Sequence, residues 1–318
     1  TSISFAEFTE SFYPFVTTAF GNNSIVRGVP LWADTFAIIY NEDLILRSGR
    51  GTVPLDWDTF YNFAVNNLTT KSGNRITTAG FAGGSSLNTS FGFELANLLM
   101  FSNRISISGN DGKLSFATDN KTLSTLEFFK SFENGSWDSF SFENDSSAFL
   151  NGEVAMIFIP SYRLREILKY NEQYQLNLKI KVSPVPYVTE EQQVNIATYW
   201  GAMVAKESRN SSAAWEFLEW VTQNSQLELL SNNLKAEQGF CGNRIPKKDL
   251  KSLLENDEYL KYYNQGLEYA KSWYQVKGIE IKNAFNQLIN QPQIRSEDIT
   301  KLQQTLEQIR LSKGQLTL

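Results

Sequence analysis

Gly28-Val29-Pro30-Leu31-Trp32-Ala33-Asp34-Thr35-Phe36-Ala37-Ile38-Ile39-Tyr40-Asn41-Glu42-Asp43-Leu44 is the stretch whose reading decides the fold. Phe36 to Tyr40 is an apolar run of strand length that stops at Asn41, so it reads as a buried strand. The segment feeding it, Val29 to Thr35, carries a single charge, Asp34, the only one between Arg27 and Glu42.

Moving outward, Asp56-Trp57-Asp58-Thr59-Phe60 opens a helix. Asp56 is its N-cap, Asp58 suits the positive helix end, and Trp57, Phe60, Ala64 and Leu68 form the buried stripe. Toward the N-terminus, Phe5, Phe8, Phe12 and Phe15 follow spacings of 3, 4 and 3, an amphipathic helical period, before the polar break Gly21-Asn22-Asn23-Ser24. Beyond a small-residue loop, Gly80 to Ser90, helices are predicted at Phe91 to Phe101 and at Thr122 to Glu133, the latter with Leu123, Leu126 and Phe129 inward. Phe149-Leu150-Asn151-Gly152 closes a helix on a glycine, and Glu153 to Ile159 is a buried strand. Leu178 to Val182 and Ile196 to Ala205 read as strands. Ser211 or Ser212 caps a helix that turns Ala214, Phe217, Leu218 and Val221 inward, and the last helix starts at Ser296 with Ile299, Leu302, Leu306 and Ile309 inward. Strands alternate with helices, which predicts an α/β protein with mainly parallel sheets.

The 318 residues suffice for one large or two medium domains, and 42% hydrophobic with 20% charged residues describes a globular chain. No apolar run approaches the roughly 18–20 residues that span a bilayer, and no signal peptide is read in these residues. Histidine is absent, which removes Ser/His/Asp and Cys/His triads and nearly all zinc and non-haem iron sites. The one cysteine, Cys241, excludes an internal disulfide and a CxxC pair. Net charge −5 with no Lys/Arg stripe argues against nucleic acid. There is no P-loop, GxGxxG or GxSxG. The strongest compositional signal is aromatic, with 7 Trp, 13 Tyr and 23 Phe.

The opening stretch resembles the extracellular solute-binding proteins of ABC importers, the large family that includes maltose-binding protein. The resemblance continues in order: Asp56 to Phe60 is similar to the family's helix start, and Ala148-Phe149-Leu150-Asn151-Gly152-Glu153-Val154-Ala155-Met156 to its helix-to-strand turn. Val182-Ser183-Pro184-Val185-Pro186 resembles its strand exit, and Ala213-Ala214-Trp215-Glu216-Phe217-Leu218 a later helix. It implies the type II periplasmic-binding-protein fold, two α/β lobes closing on a ligand by hinge motion. Lobe one would hold residues 1–35 and about 203–258 and be incomplete, since the family's opening strand–helix–strand portion has no counterpart here. Lobe two would hold about 36–202 and 259–318, with hinge crossings near 32–36, 200–204 and 255–265.

The implied function is capture of an oligosaccharide or other polyhydroxylated solute, without catalysis, cofactor or metal, for delivery to ABC permease subunits. The implied setting is extracellular or periplasmic, with or without a lipid anchor, as a monomer. Sugar clefts need aromatic faces against CH surfaces and polar groups for hydroxyls. Asp34 matches an acidic sugar-binding position, or caps a turn, and Trp32 stacks on ligand or packs under the hinge. Tyr162 matches a stacking aromatic, or packs at the rim or in the core. At the second crossing, Tyr199 and Trp200 face opposite ways, so one faces the cleft, with Trp200 favoured, and Gly201 would let the backbone approach ligand. Trp273 or Tyr274 corresponds to another aromatic, Arg244 is a surface arginine or binds hydroxyls or a carboxylate, and Asn88 is a polar contact. Trp57, Trp137, Trp215 and Trp220 are structural. The rival readings are a sensor partner of a membrane receptor, on the same fold, and a glycoside-active enzyme, for which no carboxylate pair stands out among the 34 acids.

Overall fold

A computed structural model describes residues 3–22, 24–109, 112–238, 245–273, 275 and 277–312. Arg244, Tyr274 and Cys241 lie outside the described residues.

The chain opens with two short helices, α1 (Phe5–Ser11) and α2 (Pro14–Phe20), not one. The helical period survives, but Pro14 lacks an N–H and starts a new helix as its first residue, so the chain breaks at Phe12–Tyr13. Strand β1 (Val29–Asp34) follows, and Thr35 links it to β2 (Phe36–Asn41). Next come α3 (Trp57–Asn62), the hairpin β3 (Thr70–Ser72) and β4 (Arg75–Phe81), α4 (Gly92–Ser102), α5 (Thr122–Ser131), α6 (Asp145–Leu150), β5 (Val154–Pro160) and α7 (Ser161–Gln173). The Asp56 carboxylate accepts from the Thr59 N–H at 2.8 Å, the N-cap read from sequence, and Gly152 takes φ +71° at the stop of α6. Strands β6 (Ile180–Ser183) and β7 (Thr198–Ala202) precede α8 (Ser211–Val221), α9 (Asn224–Gln238), α10 (Lys261–Gly266), α11 (Gly278–Ile289) and α12 (Ser296–Leu311).

The central sheet has the order β3-β4-β5-β2-β6. Only β4 and β5 run parallel in it; β3/β4, β5/β2 and β2/β6 are antiparallel. The expectation of mainly parallel sheets is therefore wrong. Strands β4, β5 and β6 run in one sense, and β2, which enters from β1 through Thr35, lies between β5 and β6 in the opposite sense, while β3–β4 is a hairpin at the sheet edge.

Side-chain alternation builds a core on each face of this sheet. Phe36 and Ile38 of β2 with Met156 and Phe158 of β5 join the cluster under α3, α4, α5, α11 and α12. Ala37 and Ile39 with Val154, Ile157 and Ile159 join the cluster under α6, α7 and α10. All seven residues of β5 are buried, as a central strand covered on both faces should be. A third cluster, Phe8, Phe12, Tyr13, Phe15, Val16, Val26, Ala33, Ala197 and Leu267, holds α1 and α2 against β1 and β7, which form an antiparallel pair.

Two further expectations need correction. The strand read at Ile196 to Ala205 is broken at Ala197: Asn195–Ile196 pairs in parallel with Ala270–Lys271, and β7 pairs with β1. Helix α8 starts after Asn210, and it buries Leu218 while Phe217 is 58% exposed. Its apolar period is real, but among the described residues the stripe is only partly covered.

Candidate functional site

The chain passes three times through one joint. Thr35 Oγ1 donates to the Tyr263 carbonyl at 2.6 Å. Asn195 clamps the first residue of β2 from both sides, its Oδ1 accepting from the Phe36 N–H at 3.1 Å and its Nδ2 donating to the Phe36 carbonyl at 2.9 Å. Gly266 fits against both: a Cβ there would lie 2.7 Å from Asn195 Nδ2 and 2.8 Å from Thr35 Oγ1. Asn195 and Thr35 are buried, so these bonds satisfy groups that would otherwise each cost about 1–3 kcal/mol.

The β1–β7 ladder beside this joint carries the aromatic residues. Its register sets Thr198 opposite Asp34, Tyr199 opposite Ala33 and Trp200 opposite Trp32. Cross-strand partners share a face. One face therefore presents Trp32, Asp34, Thr198 and Trp200, and the other presents Ala33 and Tyr199. Tyr199 packs into the third cluster, its ring 5.8 Å from both Phe15 and Phe20, whereas Trp200 is 69% exposed. Tyr162, from the first turn of α7, meets Trp32 edge-on at 5.7 Å and continues to Phe91 at 6.5 Å. Phe91 in turn contacts Phe36, so an aromatic file runs from the ladder into the larger core.

Polar groups border this file. Lys282 Nζ donates to Glu94 Oε1 at 2.7 Å and lies 6.0 and 5.8 Å from the Phe91 and Phe93 ring centroids. The second Glu94 oxygen is buried without a partner among the described residues. Burial raises the Tyr162 hydroxyl above its ordinary value, with Glu94 and Asp34 adding to the rise. Asp34 is wholly buried. Its Oδ1 accepts from the Thr35 N–H at 2.8 Å and its Oδ2 from Ser161 Oγ at 2.9 Å and the Tyr162 N–H at 3.4 Å. Burial pushes its carboxyl up to about 8 against the pull of those donors. Among the described residues no group of three or more metal-ligating side chains forms.

The candidates thus divide. Trp32, Tyr162 and Trp200 come together around the ladder face, and Asp34 lies among them but inside, as the carboxylate that caps a neighbouring element. Gly201 answers to packing: a Cβ would sit 2.3 Å from the Phe20 ring and 2.7 Å from the Val29 carbonyl. Asn88 is occupied as a loop clamp, accepting from Trp137 Nε1 at 2.9 Å and donating to the Ser139 and Phe142 carbonyls. Trp273 is 8% exposed in the larger core and donates to Asn97 at 2.9 Å. Of the tryptophans read as structural, Trp57 and Trp137 are buried, while Trp220 is exposed. Sequence reasoning missed Thr35, Asn195, Tyr263 and the Glu94–Lys282 pair. Glu94 had a signal, being the one acid in an otherwise apolar helix opening. Cavities of 220 Å³ beside Trp57 and 350 Å³ beside Phe101 are not lined by Trp32, Tyr162 or Trp200.

The family model described as bacterial extracellular solute-binding protein matches residues 4–228. No curated protein matches the chain significantly. Solved structures do. A cyclo/maltodextrin-binding protein complexed with maltotetraose superposes with a TM-score of 0.72 at 14% identity, covering 98% of this chain and 77% of that one. The sugar-binding protein MalE from Xanthomonas citri gives 0.73 at 17% identity, covering 94% and 74%. A cyclic α-maltosyl-1,6-maltose binding protein from Arthrobacter globiformis gives 0.72 at 16% identity, covering 96% and 77%. At these identities the likeness establishes the fold, the α/β periplasmic-binding-protein type.

Proposed function

The chain belongs to the bacterial extracellular solute-binding protein family, a class of binding proteins rather than enzymes, and from that premise we propose that it captures an oligosaccharide or other polyhydroxylated solute between two lobes and delivers it to the permease of an ABC importer. The observation that carries the sugar reading is the cross-strand pair Trp32–Trp200 with Tyr162 set edge-on to Trp32. Flat aromatic surface at an exposed ladder suits the apolar faces of pyranose rings, and Trp200 already presents its ring to solvent. Glu94 and Lys282 supply an acceptor and a donor side by side for hydroxyls. The joint at Thr35, Asn195 and Tyr263 supplies the hinge, and lobe closure follows from tighter contact in the closed state.

Supporting the class of cargo, the solved structures similar to this chain include proteins described with maltotetraose and with mannobiose bound. The test is a thermal-shift screen of the chain with maltotetraose, mannobiose and monosaccharides, with amino acids and peptides as controls. A ligand at about 100 times its dissociation constant adds roughly 2.7 kcal/mol. A shift confined to saccharides supports the reading, and a shift given only by amino acids or peptides overturns it.

A further inference from the structure

Helix α7 carries Tyr162 in its first turn, yet its N-cap position is Pro160, whose side chain offers no acceptor. The acceptor comes instead from another strand: Asp34, at the end of β1, receives the Ser161 hydroxyl and the Tyr162 N–H on Oδ2. Every donor to this carboxyl is neutral, and among the described residues Asp34 enters no ion pair. The titratable groups that face it are Tyr162 from α7 and Tyr263 from α10, both tyrosines; Arg163, next along α7, is held by Glu166. Two further groups lack partners among the described residues. Thr198 Oγ1, set opposite Asp34 on β7, and Tyr263 Oη are both buried with no hydrogen bond among the described residues. A buried hydroxyl without a partner is costly, and the Asp34 carboxyl, with two protonation states, is set opposite one of these groups and acts electrostatically on the other.

We propose that Asp34 is a positioning residue that stores a proton: its neutral form donates to Thr198 Oγ1, its ionised form accepts from Tyr263 Oη and draws in the Tyr162 N–H, and the two arrangements seat the Tyr162 ring differently against Trp32. The role of Tyr162 as a ligand contact rests on the sugar-binding reading; the proton joint does not. The ionised form caps α7 more strongly, because a full negative charge at a helix N-terminus is favoured. The Tyr162 N–H contact is 3.4 Å, long for an N–H···O bond, so it has room to shorten.

The test follows the Tyr162 backbone amide by NMR on the full, ligand-free chain between about pH 6 and pH 9.5. The expected result is a single titration with its midpoint near 8, absent in Asp34→Asn and moved to lower pH in Thr198→Val, which removes the acceptor of the neutral form. A flat wild-type trace, or one that persists unchanged in Asp34→Asn, overturns the proposal. Maltotetraose affinity then reports the consequence. Wild type should change by about fivefold or more across the same range while Asp34→Asn stays constant, because proton and ligand are coupled reciprocally. Absence of maltotetraose binding at every pH alongside an intact amide titration would count against that sugar as cargo and leave the proton joint standing.

Discussion

Replacing Asp34 by Asn should flatten the pH dependence of stability, and the size of the effect follows from the burial of one carboxyl. In the folded chain the group titrates near 8, and its ordinary value is 3.8. Between those values the folded state holds one proton more than the unfolded state. Stability is therefore fully present below the unfolded value, falls by about 1.4 kcal/mol per pH unit as pH rises, and levels off above the folded value. The roughly four units between them set a ceiling of about 5–6 kcal/mol, and the stretch from pH 5 to pH 8 about 4 kcal/mol. That is a large share of the 5–15 kcal/mol typical of a folded domain. Asn keeps the shape and an acceptor oxygen but cannot ionise. Urea unfolding of both proteins at unit pH steps from 5 to 9 isolates the term, since all other titrating groups cancel in the difference. The expected outcome is a wild-type curve that drops below the variant as pH rises. Parallel curves would refute the reasoning, and so would a wild type that gains on the variant toward alkaline pH.

Two other substitutions separate the faces of the β1–β7 ladder. Trp200→Ala should weaken saccharide binding about tenfold, near 1.4 kcal/mol, while leaving unfolding within about 0.5 kcal/mol because the ring is exposed. Tyr199→Ala should do the reverse, costing about 2 kcal/mol or more in unfolding through lost packing on Phe15 and Phe20; calorimetry and urea unfolding on both variants check the pair. Gly201→Ala should destabilise by about 1–3 kcal/mol because its Cβ would enter the Phe20 ring. Co-substitution with Phe20→Ala, which empties that space, should recover part of the loss in a thermal melt.

Local signals in the sequence are legible where one element decides them. The Asp56 cap, the Gly152 stop and the buried run of β5 each depend on a few neighbouring residues. Strand direction is a different matter. Whether β2 runs with or against β5 depends on where the chain comes from, and residue type records nothing of that. The joint was invisible for the same reason: Thr35 meets Tyr263 and Phe36 meets Asn195 across 228 and 159 residues of chain. Alternation correctly set Tyr199 and Trp200 on opposite faces, since period two is a local property of a strand. The roles of Asp34 and Gly201 were less legible. A carboxylate that caps another helix, and a glycine that admits a phenylalanine ring, are set by partners the sequence does not place beside them. Phe217 shows the converse, an apolar period that is correct while its cover is incomplete.

The central claim is that Trp32, Trp200 and Tyr162 form the surface on which a saccharide is held. Isothermal calorimetry of the wild-type chain and of Tyr162→Ala with maltotetraose and mannobiose tests it most directly. The account predicts that a saccharide binds the wild type and that the variant binds it about tenfold or more weakly, near 1.4 kcal/mol, with its fold retained. Equal affinity in wild type and variant would contradict it.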